Sequence, residues 1–511
     1  MVVSGLHNAG VGAPVLARAM ERLRPVAVPV VIGALLVGAL ALRLPGITKP
    51  SIEQRETQSA VRIRAWYLGE AHGLPEWKQR VLAELGDRSR LIEPPITDAL
   101  TWLQWRVAGE NFWFPRLLSA CYWVLGGIFL YLIGSRLTTR EGALVALAFY
   151  LTWPFATLHS RLFMPDALLV GSLLAAAFTV IRYWEQPSLR RLLVAGAVSS
   201  AATVVKPGLA ALYPVALFVA LAASHRRLWT SIARGHLALY GALTAAAAAV
   251  YYVWGTRIDD FIWRFASSSR LTPELVLHGS WWERWWEAVS FLLRFPQSQT
   301  TLAILPLAAA AAGVAVAGRR HARATLLGLA AGYVAFAVTF AYYVSGNPYY
   351  SLPLIPILAL AIGVLAGSLL ERAHGTIRIV LAGTIVLIAA VAVYKSAVML
   401  GQGDPDPRIA DYRRIGELTG HTTRALVVDA QLSSPLAYWG WVVGNDWELF
   451  YDRPPPWARP EQADFLIVVG GFGADALKNH AGLREYTRGL RVFARTSDSV
   501  VFDLRRRNSR G

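Results

Sequence analysis

The sequence predicts an α-helical protein that crosses a membrane many times and ends in a small α/β domain. Three observations indicate this class. Of the 511 residues, 55% are hydrophobic and only 16% are charged, and the mean hydropathy is +0.40. Apolar windows of about 17 to 25 residues, the length of a helix that crosses a bilayer, recur over roughly the first 400 residues. One water-soluble core could not bury so much apolar surface, and windows of this length suit helices rather than the short strands of a barrel.

The apolar windows predict about eleven membrane-spanning helices within a transmembrane domain at 26–402, after an amino-terminal segment at 1–25. Two neighbouring windows are nearly continuous, and Pro207 is expected to separate them because proline interrupts a helix. The predicted spans are 26–44, 117–134, 141–157, 166–184, 190–206, 208–223, 235–254, 300–317, 324–344, 352–370 and 377–399.

Basic residues predict the orientation of these helices. Arginines precede the first window and then occupy alternate short connections, which the positive-inside rule places in the cytoplasm. The amino terminus is then cytoplasmic, and the connections at 45–116 and 255–299 and the carboxyl-terminal domain lie outside. The net charge of +17 therefore reflects topology and does not indicate nucleic-acid binding. The arginines are Arg18, Arg22, Arg24, Arg136, Arg140, Arg182, Arg190, Arg191, Arg226, Arg227, Arg234, Arg319, Arg320, Arg323, Arg372 and Arg378.

The first outward connection, 45–116, is longer than a link between two helices needs to be, and such loops are usually functional. Glu53 and Arg55 follow the first span. Ionisable groups at such a position cost free energy unless they contact water, an opposite charge or a substrate. A functional site and a solvated juxtamembrane loop both remain open for this pair. Farther along, 60–69, 75–85 and three tryptophans predict helices that lie flat on the outer leaflet and roof the site. The tryptophans are Trp102, Trp105 and Trp113.

Two further outward segments carry isolated charges. Asp166 ends the turn at 158–166 and begins a helix, where the helix dipole favours a negative charge. It either belongs to a site or stabilises the helix start and pairs with Arg161. Lys206 interrupts an apolar stretch, and a buried lysine needs an anionic partner, for which a lipid phosphate is suitable. The alternative is that Lys206 extends to the membrane surface as an anchor.

Aromatic residues mark the remaining outward segments. Tryptophans at 281, 282, 285 and 286 share one side of a predicted interfacial helix in the connection 255–299, and membrane anchoring is the favoured interpretation. The arginines of this connection offer contacts to lipid headgroups. Its charged residues are Arg257, Asp259, Asp260, Arg264 and Arg270. In the turn at 342–350, Asn347, Tyr349 and Tyr350 either hydrogen-bond a sugar or phosphate or serve as membrane-interface residues.

The composition changes at residues 403–407, a polar linker rich in turn-forming residues, and 403–511 are predicted to form an extracytoplasmic α/β domain. Strands are predicted at 424–429, 464–470 and 500–504, and helices at 408–418 and 474–480. The glycines at 470, 471 and 473 lack the spacing of a phosphate loop and predict a plain turn. Arg505-Arg506-Arg507 is expected to be a solvated tail.

Six short motifs occur in an order that resembles the GT-C superfamily of integral-membrane glycosyltransferases. The resemblance covers roughly 26–400 and is closest to the aminoarabinose transferases and protein O-mannosyltransferases. The chain departs from the family where Ile52-Glu53 replaces an acidic pair, Glu93 replaces a lysine, and the order after Lys206 is Pro-Gly. The motifs are Glu53 with Arg55, Glu93-Pro94-Pro95-Ile96, Arg116-Leu117-Leu118-Ser119-Ala120, Arg161 to Asp166, Lys206-Pro207-Gly208, and Tyr349-Tyr350 followed by Leu352-Pro353 and Pro356.

The resemblance implies an inverting transfer of a sugar from a polyprenyl-phosphate donor to lipid A, a protein or a glycan at the outer face of the bacterial inner membrane. Glu53 would take the proton of the acceptor hydroxyl. Cations would stabilise the leaving phosphate; they are Lys206, Arg55 and Arg161. The substrate-orienting residues would be Asp166, His159, Asn347, Tyr349, Tyr350 and Glu93. The question whether Glu53 and Asp166 hold a divalent metal stays open, although two carboxylates alone make a weak metal site.

Two other classes of function are open from the sequence. A lipid or solute transporter would place charges near the middle of its spans, whereas here the charges gather at the outward ends of the spans. A membrane scaffold would use its outer α/β domain to bind a partner protein. Neither class explains why a glutamate and a lysine lie in short outward segments of separate spans.

Overall fold

The structure is a computed structural model that describes residues 12–88, 93–206, 209–225, 231–258, 272–295, 300–401, 406–449 and 451–505. Long helices form a bundle, and a five-stranded sheet with its own helices follows at the carboxyl end. Some sequence features named above lie outside the described residues; they are Pro207, Gly208, Arg226, Arg227, Asp259, Asp260, Arg264, Arg270, residues 403–405, Arg506 and Arg507.

Helices make up most of the described chain before the sheet domain. They are α1 (Gly12–Arg43), α2 (Gln54–Gly69), α3 (Glu76–Arg88), α4 (Ile96–Ala108), α5 (Trp113–Leu137), α6 (Arg140–Thr152), α7 (Pro154–His159), α8 (Asp166–Glu185), α9 (Leu189–Val205), α10 (Leu212–Ser224), α11 (Ser231–Ile258), α12 (Gly279–Leu293), α13 (Ile304–Val316), α14 (Arg320–Thr339), α15 (Ala341–Gly346), α16 (Leu354–Arg372) and α17 (Gly375–Gly401).

Each predicted span coincides with a helix or a pair of helices. Within the described residues, α5, α8, α14, α16 and α17 are long and apolar enough to cross a membrane, and α10, α13 and Val28–Arg43 are shorter apolar helices. The helical multi-pass class is therefore confirmed, and the number of about eleven spans stays a prediction. The window at 141–157 is divided into α6 and α7 because Pro154, which has no amide hydrogen, begins a new helix.

Glycines bring some of the membrane helices into close contact. Where α6 crosses α16, a Cβ at Gly142 would lie 2.4 Å from the carbonyl oxygen of Gly363, and one at Gly363 would lie 2.5 Å from that of Gly142. On the α13 side of α16, a Cβ at Gly313 would lie 2.0 Å from the carbonyl oxygen of Ala361. Small residues let helix backbones approach each other where lipid provides little hydrophobic drive for association. These crossings hold α16 between α6 and α13.

The helices of the first outward connection pack against the carboxyl-terminal domain. The helical pieces predicted at 60–69 and 75–85 are confirmed as parts of α2 and α3. That they lie flat on the leaflet stays a prediction, and residues 60 to 65 of α2 are buried by protein. Ile63 belongs to the same apolar cluster as Tyr438 and Val443. In α4, by contrast, Leu103 and Val107 are exposed.

The tryptophan-rich helix predicted in the second outward connection is α12. The indole nitrogen of Trp281 donates a hydrogen bond of 2.8 Å to the carbonyl of Ala341. That of Trp285 donates one of 3.3 Å to the hydroxyl of Tyr333. Two of its tryptophans therefore attach α12 to the helix bundle, whereas Trp282 is half exposed and remains free for the interfacial role that the sequence predicts.

The carboxyl-terminal domain is a mixed sheet with the strand order β2-β1-β3-β5-β4. The three predicted strands and both predicted helices are present. Two strands escaped prediction: β2 consists of Gly-Asn-Asp, which are poor strand formers, and β4 is a largely exposed edge strand. The expected turn at 470–473 is instead the first turn of a helix. The elements are α18 (Arg408–Leu418), β1 (Ala425–Val428), β2 (Gly444–Asp446), β3 (Phe465–Val468), α19 (Gly470–Asn479), α20 (Ala481–Thr487), β4 (Arg491–Arg495) and β5 (Val500–Asp503).

Candidate active site

Charged side chains from four separate segments meet at one end of the helix bundle. Arg55 comes from the first turn of α2, Glu93 from the segment before α4, Asp166 from the start of α8, and Lys206 from the end of α9. Nη2 of Arg55 lies 3.1 Å from Oε2 of Glu93. Nζ of Lys206 lies 2.7 Å from Oδ1 of Asp166 and 3.8 Å from Oε1 of Glu93. The structure thus brings four sequence-predicted site residues into one cluster, in which the carboxylates alternate with the cations.

Lys206 is buried at the centre of this cluster, with 9% of its surface exposed. Its ammonium lies 4.4 Å from the ring centroid of Tyr350 and 5.9 Å from that of Tyr349, so both rings add cation–π attraction to the ion pair with Asp166. A surface anchor would instead expose its ammonium. The structure therefore brings Tyr349 and Tyr350 to Lys206, as a shared site requires.

The charges of the cluster stabilise one another in spite of burial. Burial by itself would lower the pKa of Arg55, but the carboxylate of Glu93 raises it above its usual range. Burial would raise the pKa of Glu93, but Arg55 and Lys206 hold it below the usual range of a glutamate. Oδ2 of Asp166 is buried and has no hydrogen-bond partner within the described part of the chain. Arg55 and Glu93 thus stay charged in spite of burial, and Asp166 has an acceptor atom left unused.

Glu53 precedes α2 and lies two residues before Arg55 of the cluster. Burial, and next the negative charge of Glu56, raise the pKa of Glu53, although Arg55 acts in the opposite direction. Its backbone amide donates to the hydroxyl of Ser51 at 3.0 Å. A carboxylate with a raised pKa binds a proton more readily, so Glu53 has the property of a general base.

A second carboxylate of this region, Glu56, escaped the sequence analysis. It is fully buried, and its oxygens accept hydrogen bonds of 2.8 and 2.6 Å from Arg116. Oε1 also accepts a 2.8 Å bond from the amide of Phe163. The sequence contained features that could have identified Glu56, since it lies about one helical turn after Glu53 and its partner Arg116 begins one of the six motifs. Both lone-pair faces of this carboxylate are occupied, which makes Glu56 structural rather than free for catalysis.

Arg161 and His159 lie near Glu56 rather than in the Lys206 cluster. Arg161 donates to the backbone carbonyls of Pro45 and Arg43. The alternative that Arg161 pairs with Asp166 is wrong, because Asp166 pairs with Lys206 and the guanidinium of Arg161 donates to backbone carbonyls instead. The ring of His159 stacks on Phe155 with 3.9 Å between centroids, and its Nδ1 is buried without a partner in the described chain. Their assigned roles in phosphate binding and substrate orientation stay predictions.

The remaining predicted groups are placed as follows. Asn347 follows α15, and its side-chain amide lies 3.5 Å from the carbonyl of Tyr343, so it makes a local backbone contact. Within the described residues, no group of three or more His, Cys, Asp or Glu side chains is arranged to hold a metal ion. Glu53 and Asp166 therefore lack the additional ligands that a protein metal cage needs, and the metal expectation receives no support from their surroundings.

Comparisons with known proteins agree with this architecture. The sequence model of a family described as dolichyl-phosphate-mannose-protein mannosyltransferase matches residues 92–255. A search of curated proteins gave no match. The fold is similar to that of ArnT from Cupriavidus metallidurans in the apo state, with a TM-score of 0.60, 14% identity, and 94% of this chain and 98% of that chain covered.

Two further solved structures share the fold. ArnT from the same organism bound to undecaprenyl phosphate matches with a TM-score of 0.53 and 14% identity, over 93% of this chain and 97% of that chain. The fold is also similar to that of the archaeal oligosaccharyltransferase AglB from Archaeoglobus fulgidus, in complex with an inhibitory peptide and a dolichol-phosphate. That match has a TM-score of 0.50 and 10% identity and covers 87% of this chain and 69% of that chain. The chain therefore has the fold of the GT-C membrane glycosyltransferases, and the resemblance that its sequence motifs predicted is confirmed.

Proposed function

We propose that the protein is an inverting glycosyltransferase that moves a sugar from a polyprenyl-phosphate donor to a hydroxyl group of an acceptor, either lipid A, a protein or a cell-envelope glycan. The observation that carries the proposal is the buried cluster of Arg55, Glu93, Asp166 and Lys206 at the end of the helix bundle. Burying cations near the ends of membrane helices costs free energy, so such cations indicate a function. An anionic lipid headgroup is a ligand that can accept charge-assisted hydrogen bonds from them. The undecaprenyl phosphate of the ArnT complex and the dolichol-phosphate of the AglB complex support this class of donor.

The cations of the cluster would bind and stabilise the donor phosphate. Asp166 and Glu93 keep Lys206 and Arg55 charged and oriented, so that little reorganisation is needed when the phosphate arrives. As the sugar leaves, the bond between its anomeric carbon and the phosphate oxygen breaks, and that oxygen takes the electron pair. Lys206 and Arg55 then face the growing negative charge and lower the barrier.

Glu53 would act as the general base. The acceptor hydroxyl oxygen forms a bond to the anomeric carbon on the face opposite the phosphate, which inverts the configuration. The proton of that hydroxyl passes to the Glu53 carboxylate. Its raised pKa supports this role, because a weaker acid has a more basic conjugate carboxylate. The products are the glycosylated acceptor, the protonated glutamate and free polyprenyl phosphate.

The site would face the outside of the bacterial inner membrane. The supporting observation is the distribution of arginines, which assigns the connections that carry Glu53, Asp166 and Lys206 to the side opposite the cytoplasm. The carboxyl-terminal domain covers the same side: the indole nitrogen of Trp439 donates to the carbonyl of Ser51 at 2.7 Å. An acceptor would then reach the site between this domain and the membrane helices.

Release of undecaprenyl phosphate from an undecaprenyl-phosphate-linked hexose by the purified protein tests the proposal. We expect Glu53→Gln and Lys206→Ala each to reduce turnover by about 100-fold or more, because one removes the base and the other a cation at the leaving group. The matched controls are Glu70→Gln and Lys478→Ala, two exposed residues of the same types, and should retain full turnover. Normal turnover by both site variants would refute the assignment.

A further inference from the structure

A large apolar cavity lies between α6, α16 and α17, away from the charged cluster. It measures about 190 Å³, whereas one water molecule needs about 10–15 Å³ measured in the same way. Its walls include Leu365 and Leu369 of α16 and Leu381, Ile385 and Ala389 of α17. The cavity is therefore large enough for a stretch of hydrocarbon chain.

The polar groups of the cavity wall already have hydrogen-bond partners. The hydroxyl of Thr152 donates to the carbonyl of Ala148 at 2.8 Å, and the indole nitrogen of Trp153 donates to the carbonyl of Leu292 at 3.1 Å. Water inside the cavity would find few partners. Apolar cavities of this kind stay dry and bind apolar molecules.

The cavity opens toward the lipid side of α17. This helix is long and apolar enough to cross a membrane, and most of its residues are exposed. The hydroxyl of Ser396 attaches its later half to the carbonyl of Thr152 at 2.9 Å. Ile388, nearer the middle of the helix, lines the cavity although it is half exposed. Exposed residues in the middle of a membrane helix contact hydrocarbon, so a lipid chain can enter the cavity beside Ile388.

Two arginines continue the walls of the cavity at one of its ends. Arg372 follows Leu369 by three residues, and Arg378 precedes Leu381 by three, the spacing that places side chains on one face of a helix. Both arginines are exposed. The acidic neighbour Glu371 is two residues from Leu369 and so lies on another face of α16. A pair of cations therefore stands at the mouth of an apolar cavity.

This mouth is far from the proposed reaction site. Tyr350 of the Lys206 cluster precedes α16, and Arg372 is the last residue of that helix. Its 19 residues span roughly 28 Å at 1.5 Å per residue, which is about the thickness of the hydrocarbon core. The two arginines and Lys206 therefore lie at opposite surfaces of the membrane, and one phosphate cannot serve both.

We infer that the cavity is the binding site of an anionic phospholipid, with one acyl chain between α6, α16 and α17 and the headgroup phosphate at Arg372 and Arg378. Each guanidinium donates charge-assisted hydrogen bonds to phosphate oxygens. Basic groups between membrane helices are typical sites for anionic lipids. The chain fills a gap that would otherwise leave α17 without packing partners along its middle.

The headgroup assignment is tested by native mass spectrometry of the purified full-length protein in detergent. The probes are phosphatidylglycerol and phosphatidylcholine with identical acyl chains. We expect the wild type to prefer phosphatidylglycerol by about 10-fold or more, and Arg378→Gln to reduce that preference by about 5-fold. Arg320→Gln, which changes an exposed arginine at the start of α14, is the matched control and should keep the preference.

The chain assignment is tested by filling the cavity. Ala389→Phe places a ring in the space of the chain and should weaken binding of both phospholipids by about 10-fold, since each buried methylene group contributes about 4-fold to affinity. Ala390→Phe puts the same ring on the adjacent, exposed position, which does not line the cavity, and should leave both affinities unchanged. Binding of undecaprenyl phosphate should be unchanged in both variants.

Three results would overturn the inference. Equal binding of the two phospholipids by the wild type, or an unchanged preference in Arg378→Gln, would remove the headgroup site. Equal effects of the two phenylalanine variants would remove the chain from the cavity. A loss of undecaprenyl phosphate binding in Ala389→Phe alone would show that a polyprenyl chain, and not a phospholipid, occupies the cavity.

Discussion

Arg116 at the start of α5 donates two hydrogen bonds to the buried carboxylate of Glu56 in α2. The same guanidinium donates to the backbone carbonyls of Ile47 and Lys49, at 3.0 and 2.7 Å. Glu56 in turn accepts from the amide of Phe163. One ion pair therefore joins four segments: the residues that follow the first span, α2, α5 and the turn before α8. Glu53 precedes Glu56 by one helical turn, so this pair also fixes the position of the proposed base.

The first prediction separates the roles of these two glutamates. Glu56→Ala should destabilise the folded protein by about 3–5 kcal/mol, because it leaves the buried guanidinium of Arg116 without its counter-charge. Glu53→Gln should reduce turnover by about 100-fold or more while leaving the unfolding temperature close to that of the wild type. The measurements are thermal unfolding in detergent and release of polyprenyl phosphate. A stable, inactive Glu56→Ala protein would instead assign the catalytic role to Glu56.

The second prediction concerns the pH dependence of activity. A general base works in its deprotonated form, so activity should rise with pH through the pKa of Glu53. Burial and Glu56 raise this pKa, and the acid limb of kcat/KM should therefore lie above the ordinary glutamate range. In Glu53→Gln the residual activity should lose that limb. An acid limb that persists unchanged in Glu53→Gln would show that another group titrates.

The third prediction concerns the aromatic wall of Lys206. Tyr350 is buried, and its ring faces the ammonium at 4.4 Å. Tyr350→Leu removes the cation–π contact and should weaken binding of undecaprenyl phosphate by about 2- to 30-fold, which corresponds to about 0.5–2 kcal/mol. Tyr350→Phe retains the ring and should bind nearly as well as the wild type. The exposed Tyr342 offers a control as Tyr342→Leu; equal loss in the Phe and Leu variants would mean that the hydroxyl, and not the ring, matters.

The sequence predicted the bundle and much of the site because both depend on patterns along the chain. Apolar windows located the helices, and alternate arginines assigned Arg55, Asp166, Lys206 and Tyr350 to outward segments, which the structure brings together. The pairing within the cluster could not be predicted, since Asp166 contacts Lys206, 40 residues away in sequence, rather than the nearby Arg161.

Burial decided what the sequence left open. Glu56 and Asp98 look like ordinary charged positions of polar loop helices, and only the packing of α2 between the bundle and the sheet domain encloses them. Burial then places Glu56 in a structural ion pair with Arg116 and Asp98 in an ion pair with Arg62. No periodicity in the first outward connection distinguishes these carboxylates from exposed ones such as Glu70. The long-range contacts of this connection are therefore the part that sequence patterns could not supply.

The fourth prediction tests the crossing of α6 and α16. Gly142→Ala places a methyl group 2.4 Å from the carbonyl oxygen of Gly363, so the helices must separate. We expect a loss of about 1–3 kcal/mol in stability, measured as a lower unfolding temperature in detergent. Gly383→Ala in α17 is the control, because no atom lies within 4 Å of its added methyl group. Alanine favours helix at such a position, so Gly383→Ala should be neutral or slightly stabilising.

The last prediction concerns the stability of the carboxyl-terminal domain. Burial raises the pKa of Asp446 from 3.8 to about 7, although Ser433 donates to its carboxylate and lowers the pKa, while the charges of Glu448 and Asp429 raise it further. Because the folded state binds the proton more tightly, this group contributes full stability below its unfolded pKa, and the contribution is lost as pH rises through about 7.

Asp446→Asn retains an oxygen that accepts from the amide of Ser433 but carries no charge. Its unfolding temperature, followed by the fluorescence of the neighbouring buried Trp447, should exceed that of the wild type by a margin that grows between about pH 4 and about pH 7 and then stays constant. A margin independent of pH would contradict the assignment of this titration to Asp446.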